Sequence, residues 1–277
     1  MSNLKPFTKW VGGKRQLLPE LVKCLPPDFG HYYEPFIGGG ALFFELKRNH
    51  CTINDYNSDL VATYETIRDD VDGLIELLKQ HELNNSKDYY LDIRSVDRDG
   101  RIENMTKTER AARLIYMLRV NFNGLYRVNS KNQFNVPYGK YKNPKIVDEN
   151  NLRNISDYLN QNNVKILNGD FTDAVRFSEK GDLIYFDPPY VSLSNTEKFT
   201  SYTSTGFSYE DQVRLRDLFV ELTQKGVYVI LSNSSAKLVY ELYEDVATKI
   251  IEVDATRMIN SKADKRGKIK ELIITNF

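Results

Sequence analysis

Asp187, Pro188 and Tyr190 follow directly on a run of strand-forming residues, 183–186, in the stretch "GDLIYFDPPYVSLS". Two adjacent prolines donate no backbone hydrogen bond and fix their own φ, so a sheet ladder must stop at Asp187 and the turn after it must be stiff. A carboxylate followed by a proline carbonyl then offers two acceptors about one residue apart, an arrangement that suits a planar amino group with two hydrogens to donate. Tyr190 supplies a face on which the heterocycle carrying that amine can stack. A bare Asp-Pro turn is common; "DPPY" closing a strand is far more specific.

A second group lies in "YYEPFIGGGALFFEL", where a strand turns through Gly38, Gly39 and Gly40 into a helix. Such a turn lets backbone approach a nucleotide-like ligand, and Asp55, at the end of the next expected strand, is placed to accept ribose hydroxyls. The "GGK" of "KWVGGKRQLL" does not complete a phosphate loop, because Arg15 stands where the hydroxyl is required. Lys14 and Arg15 there fall in the first turn of an expected helix, where the macrodipole disfavours cations, and a ligand carboxylate near Lys14 relieves that conflict. Cys24 and Cys51, with three histidines, form no metal-ligand spacing and read as small buried hydrophobes.

Positioning these groups calls for an α/β architecture in a chain of 277 residues. Strands are expected at 31–36, 51–55, 163–170, 182–187, 226–233, 249–257 and 269–277. Helices are expected at 14–25, 40–48 and 208–224, the last opened by Ser208 and Asp211. The final two strands, with no clear helix between them, predict an antiparallel hairpin at one edge of a mostly parallel sheet. Between Asp55 and Asn163 the chain is far too long for a simple crossover. That interval reads as helical at 57–68, at 71–83 and from a capping box at Thr106 and Glu109 to about Val120, followed by a hairpin or ordered loop through 121–145.

Formal charge is balanced, 38 Lys and Arg against 38 Asp and Glu, yet it is unevenly placed. From Arg110 to Lys145 there are eight basic residues, no acid and six interleaved aromatics; Lys262, Lys265, Arg266, Lys268 and Lys270 form a second cluster. A basic patch with aromatics is the electrostatic footprint of a polyanion site. No apolar run approaches the ~20 residues of a membrane span, and the polar start is no signal peptide, so a cytoplasmic protein is expected.

Together, "EPFIGGG", "NDYNSDL" and "DPPY" resemble the S-adenosylmethionine-dependent DNA methyltransferases that modify exocyclic amino groups. More narrowly, "FTKWVGGKRQLL", "NFNGLYRVNSKNQFNVPYGKYKNP" and "FDPPYVSLSNTEKFTSYTSTGF" look like the Dam-type adenine methyltransferases, including the modification enzyme of GATC restriction systems. The resemblance implies a Rossmann-like methyltransferase sheet with an inserted, mainly helical target-recognition domain: residues 1–56 and 160–277 catalytic, 57–159 recognising DNA. It implies S-adenosylmethionine as methyl donor and duplex DNA, with GATC sites, as partner; no metal is expected and a monomer is favoured. Trp10, Lys14, Glu34, Pro35, Phe36, Gly38, Gly40, Asp55, Asp170, Phe171 and Asp187 are then the cofactor's residues, Lys14 through the cofactor's carboxylate. Asp187, Pro188 and Tyr190 hold the target base, while Lys9, Phe122, Asn123, Leu125, Arg127, Pro137 and Lys140 meet DNA. Other readings are amino methylation of cytosine in DNA or of adenine in RNA, and a non-catalytic nucleic-acid-binding module. Asp187 disfavours the first two, since cytosine enzymes more often carry Ser there and RNA enzymes Asn. A cytosine-ring nucleophile is excluded because neither cysteine lies near a motif.

Overall fold

The computed structural model describes residues 4–10, 12, 14, 16–191, 206–256 and 268–277. All seven expected strands form: β1 (Tyr32–Glu34), β2 (Cys51–Asp55), β3 (Val164–Asn168), β4 (Leu183–Phe186), β5 (Tyr228–Ser234), β6 (Lys249–Thr256) and β7 (Lys268–Thr275). They make one sheet in the order β3-β2-β1-β4-β5-β7-β6. β1 pairs in parallel with β2 and β4, and β4 with β5, whereas β7 runs antiparallel to both β5 and β6. This is the mostly parallel α/β sheet with an antiparallel edge of a Rossmann-like methyltransferase fold. The reversal follows from the short connection after β6, since a parallel return needs a long crossover.

The chain divides into two compact units, one of Met1–Gly13, Gly38–Lys47 and Asp55–Asn168, the other of Lys14–Ile37, Arg48–Asn54 and Gly169–Phe277. The first contains α3 (Ser58–Asp69), α4 (Val71–Leu83), α5 (Lys87–Ser95), α6 (Lys107–Val120) and α7 (Glu149–Gln161). The Asn57 side chain caps α3 through the Leu60 amide, and Thr106 and Glu109 close the reciprocal box that opens α6. α6 is buried along nearly its whole length because α3, α4 and α5 pack around it. α5 and α7 were not expected from the sequence.

In the second unit, α9 (Tyr209–Gln224) starts at the predicted Ser208–Asp211 box and packs on β5, with α10 (Lys237–Tyr243) beside it. Leu215, Phe219 and Leu222 enter a core with Ile184, Phe186, Val229 and Leu231, each contributing about 1.5–3 kcal/mol of hydrophobic stabilisation. The predicted helix 14–25 shrinks to α1 (Leu18–Lys23), because Pro19 has no amide hydrogen and is favoured only in a helix's first turn. Lys14 therefore precedes the helix, and the expected conflict with the macrodipole does not arise. Arg15, together with Lys262, Lys265 and Arg266 of the C-terminal basic cluster, lies outside the described residues. Cys51 is buried and Cys24 half-buried. Among the described residues, no helix is long and apolar enough to cross a membrane.

Candidate active site

In the second unit β4 ends at Phe186, and Asp187 follows at the carboxyl edge of the sheet, as the two prolines require. The backbone beyond is clamped: Gln212 Nε2 donates to the Pro189 carbonyl (3.2 Å), Val191 N donates to Asn233 Oδ1 (3.2 Å), and Ser234 Oγ donates to the Val191 carbonyl (2.7 Å). Two acceptors are left over. Asp187 Oδ1 is buried and receives no hydrogen bond, and among the described residues none reaches the Pro188 carbonyl. A buried acceptor left unmatched costs about 1–3 kcal/mol, so the Pro188 carbonyl, and Asp187 Oδ1 apart from its ion pair, are suited to a donor from outside.

Lys14 supplies the charge partner. Its Nζ sits 2.8 Å from Asp187 Oδ1 and 4.3 Å above the Tyr190 ring. Burial pushes the Asp187 carboxyl up to about 6; Lys14 pulls against that rise and Glu271 adds to it. The Tyr190 hydroxyl donates to Glu271 Oε2 (3.1 Å), and burial raises the phenol well above its usual range. Lys14, Asp187 and Tyr190 thus form one cluster, with an ammonium lying over an aromatic face and beside a carboxylate.

Five other predicted residues of this unit lie at two further places, the Phe36–Phe171 contact with Asp170 beside it and the end of β1. Phe36 stacks on Phe171 (centroids 5.4 Å apart, planes at 28°) and meets Phe207 edge-on at 5.7 Å. Asp170 caps the short helix α8 (Phe171–Ala174), accepting from Thr172 N and Oγ1 (3.0 and 2.6 Å) and from Arg214 (2.9 Å). Burial opposes its ionisation, but the Thr172 and Arg214 bonds outweigh that and lower its pKa. Glu34 is buried and accepts from the Tyr32 hydroxyl at 2.6 Å, while Asn54 Nδ2 donates to the Pro35 carbonyl (2.9 Å). Glu34 and Pro35 thus hold the chain as it leaves β1.

In the first unit the glycine turn is built as predicted. Gly38 and Gly40 have φ of +45° and +69°, and Gly40 opens α2 (Ala41–Leu46) from the left-handed region that side chains avoid. A Cβ on Gly38 would lie 3.0 Å from the Trp10 ring, and one on Gly40 would lie 2.8 Å from the Tyr64 hydroxyl. Asp55 accepts from Gly38 N through Oδ2 (3.0 Å) and from Asn57 N through Oδ1 (2.9 Å). The spacing of 17 residues between Gly38 and Asp55 therefore closes into a direct contact. Burial raises the Asp55 pKa, and these amide bonds partly offset it. Trp10 stacks on Tyr126 at 5.1 Å.

The predicted DNA-contacting segment forms an ordered hairpin in the same unit, with bridges between Asn121 and Tyr138 and between Val128 and Phe134. Lys9, Phe122, Arg127, Pro137 and Lys140 are exposed, and Asn123 and Leu125 are half-buried. Asn123 and Lys140 adopt positive φ, and the Tyr141 hydroxyl accepts from Asn123 N at 3.0 Å. Arg127 donates to the Asn135 side chain and carbonyl (2.6 and 3.0 Å), which extends its guanidinium along the hairpin.

The uniform basic window of the sequence is divided by the fold. Arg113 is buried and pairs with Asp97 (3.2 Å), Arg119 donates to the Phe7 carbonyl, and Lys145 pairs with Asp148. Arg110, Arg127, Lys131, Lys140, Lys142 and the paired Lys145 remain on the surface. Asp97 lies outside the acid-free window, which is why that window overstated the exposed charge.

Sequence reasoning passed over Tyr64, Gln212, Asn233, Ser234 and Glu271. The only signal for them was polar residues in otherwise apolar elements, as in "VYVILSNSS" and "IKELIITNF".

Residues 10–259 match the family described as D12 class N6 adenine-specific DNA methyltransferase. A type II methyltransferase, M1.LlaDCHI of Lactococcus lactis subsp. cremoris, is 60% identical over 99% of this chain and 96% of its own length. Another, M.MjaIII of Methanocaldococcus jannaschii, is 41% identical over 99% of both chains. A DNA adenine methylase of Haemophilus influenzae is 34% identical over 97% of this chain and 92% of its own. These likenesses run through the glycine turn, the hairpin and the Asp187 turn alike, and they decide among the readings open from sequence: the chain belongs to the D12 class N6 adenine-specific DNA methyltransferases.

Proposed function

We propose that the enzyme transfers the methyl group of S-adenosylmethionine to N6 of an adenine flipped out of duplex DNA, at GATC sites, as the modification partner of a restriction system. The observation that carries the reading is the pair of adjacent acceptors, buried Asp187 Oδ1, met by the Lys14 ammonium, and the Pro188 carbonyl, in the cluster with the Tyr190 ring. An adenine amine is a poor nucleophile because its lone pair is delocalised into the ring. Accepting its two protons at Asp187 and Pro188 favours a pyramidal nitrogen, and holding that nitrogen in place supplies much of the rate. Stacking on Tyr190 offsets the few kcal/mol needed to extract the base. S-adenosylmethionine, when bound, supplies an electrophilic methyl group.

The chain's own residues fit that donor. Asp55 retains lone pairs for ribose hydroxyls after serving two amides, Phe36 and Phe171 offer aromatic surface for an adenine, and Asp170 offers a carboxylate beside it. Trp10, Glu34, Pro35, Gly38 and Gly40 shape the backbone of the cofactor loop, and Lys14 serves the cofactor's carboxylate once it leaves Asp187. Residues 57–159 act as the target-recognition part, with Lys9, Phe122, Asn123, Leu125, Arg127, Pro137 and Lys140 at DNA and Arg127 reading guanine. GATC rests on the likeness of 121–144 to the Dam-type enzymes. Incubation with tritiated S-adenosylmethionine and duplexes with and without GATC decides it. Label in N6-methyladenine from the GATC duplex alone is expected, and equal labelling of both duplexes refutes the target site.

A further inference from the structure

We propose that Glu271 is a positioning residue for methyl transfer: it anchors the Tyr190 hydroxyl and so sets the plane of the ring that receives the target base. The inference rests on the reading of Tyr190 as the stacking face. β7 lies between β5 and β6 and carries Glu271 opposite Ser234 of β5. That pair of strands grips the turn at two places. Asn233 and Ser234 hold the Val191 backbone, and Glu271 holds the tip of the neighbouring Tyr190 side chain at 3.1 Å.

The prolines stiffen only the backbone, so the ring's own side-chain torsions must be fixed by its side-chain contacts, with Lys14 over its face and Glu271 at its tip. A hydrogen bond to a carboxylate is among the stronger ones available for fixing it. Glu271 is an unusual occupant of its position. The next three residues of β7, Leu272, Ile273 and Ile274, are fully buried, and a half-buried carboxylate there is unfavourable unless it has a partner. Strand propensity alone favours a β-branched residue at such a site.

The test uses the full chain with Glu271→Leu, Glu271→Gln, Tyr190→Phe, Tyr190→Ala and the Tyr190→Phe/Glu271→Leu double variant. Turnover is read on a duplex substrate, and stacking is read by fluorescence of 2-aminopurine placed at the target adenine. Glu271→Leu is expected to lower kcat about tenfold and change the 2-aminopurine signal, while Glu271→Gln, which still accepts, stays within about threefold. Tyr190→Phe removes the donor and keeps the ring, so it shows the same loss, and the double variant is no worse than Tyr190→Phe. Full turnover in Glu271→Leu or in Tyr190→Phe overturns the inference, as do losses that multiply in the double variant. Should Glu271→Leu fail to fold, the comparison of Glu271→Gln with Tyr190→Phe carries the same decision. An unimpaired Tyr190→Ala overturns the stacking reading itself, whereas an impaired Tyr190→Ala beside an unimpaired Glu271→Leu overturns only the role of Glu271.

Discussion

Replacing Lys14 with Met should raise the pKa of Asp187 and move the acid limb of the pH–rate profile upward. In the native protein the carboxyl sits at about 6, lifted by burial and restrained by Lys14. The carboxylate is a far stronger acceptor for the amine than the neutral acid, so the rate should fall about tenfold per pH unit below about 6. An opposite charge within a few ångströms lowers a carboxyl by ~1–3 units, and the Lys14 ammonium is 2.8 Å away. Its loss should therefore carry the midpoint to roughly 7–9, each unit corresponding to about 1.4 kcal/mol. At pH 7 the ionised fraction then falls from about nine-tenths to half or less. The assay is the initial rate against pH with duplex DNA and S-adenosylmethionine both well below saturation, because that limit reports the free enzyme's groups, with Lys14 still on Asp187. A carbon-13 carboxyl titration without cofactor, with the Asp187 signal assigned by its absence in Asp187→Asn, gives the same number independently of binding. A midpoint that stays within about half a unit of 6 in Lys14→Met refutes the reasoning.

Other consequences follow from the same geometry. Asp187→Ala removes one of the two adjacent acceptors and should lower kcat at least about a hundredfold with DNA affinity largely kept; gel-shift binding beside turnover separates the two. Arg127→Ala should relax sequence preference by about 1–3 kcal/mol, read as turnover on duplexes altered one base pair at a time. His81 is half-buried, stacked on Tyr116 and bonded to the Tyr89 hydroxyl (2.7 Å), and desolvation lowers its pKa from 6.5 to about 4. A histidine depressed in the fold contributes stability that is full above pH 6.5 and is lost as pH falls toward 4. Denaturant unfolding should accordingly lose up to about 3 kcal/mol across that window, and His81→Gln should flatten the loss.

The sheet was legible because its signals are local. Apolar runs such as "LIYF" and "YVIL" make strands wherever they are packed, prolines stop them, and the Ser208 and Thr106 boxes start helices with neighbours three residues away. The antiparallel edge was legible as well, from the lack of a clear helix between the last two expected strands. The glycine turn and Asp55 could be paired from spacing because a strand and a helix of known rise separate them. Charge was less legible. The acid-free window from Arg110 to Lys145 looked like one exposed patch, but Asp97 and the Phe7 carbonyl claim Arg113 and Arg119 from outside it. Burial of an arginine depends on what packs over it, and no local pattern encodes that. The same holds for the site itself. "DPPY" determined by its own stereochemistry that a carboxylate and a carbonyl would stand side by side at a strand end. That Lys14 lies on that carboxylate, and that Glu271, on the last strand, reaches the tyrosine, was decided only by tertiary structure, because strand order sets which distant residues share an edge.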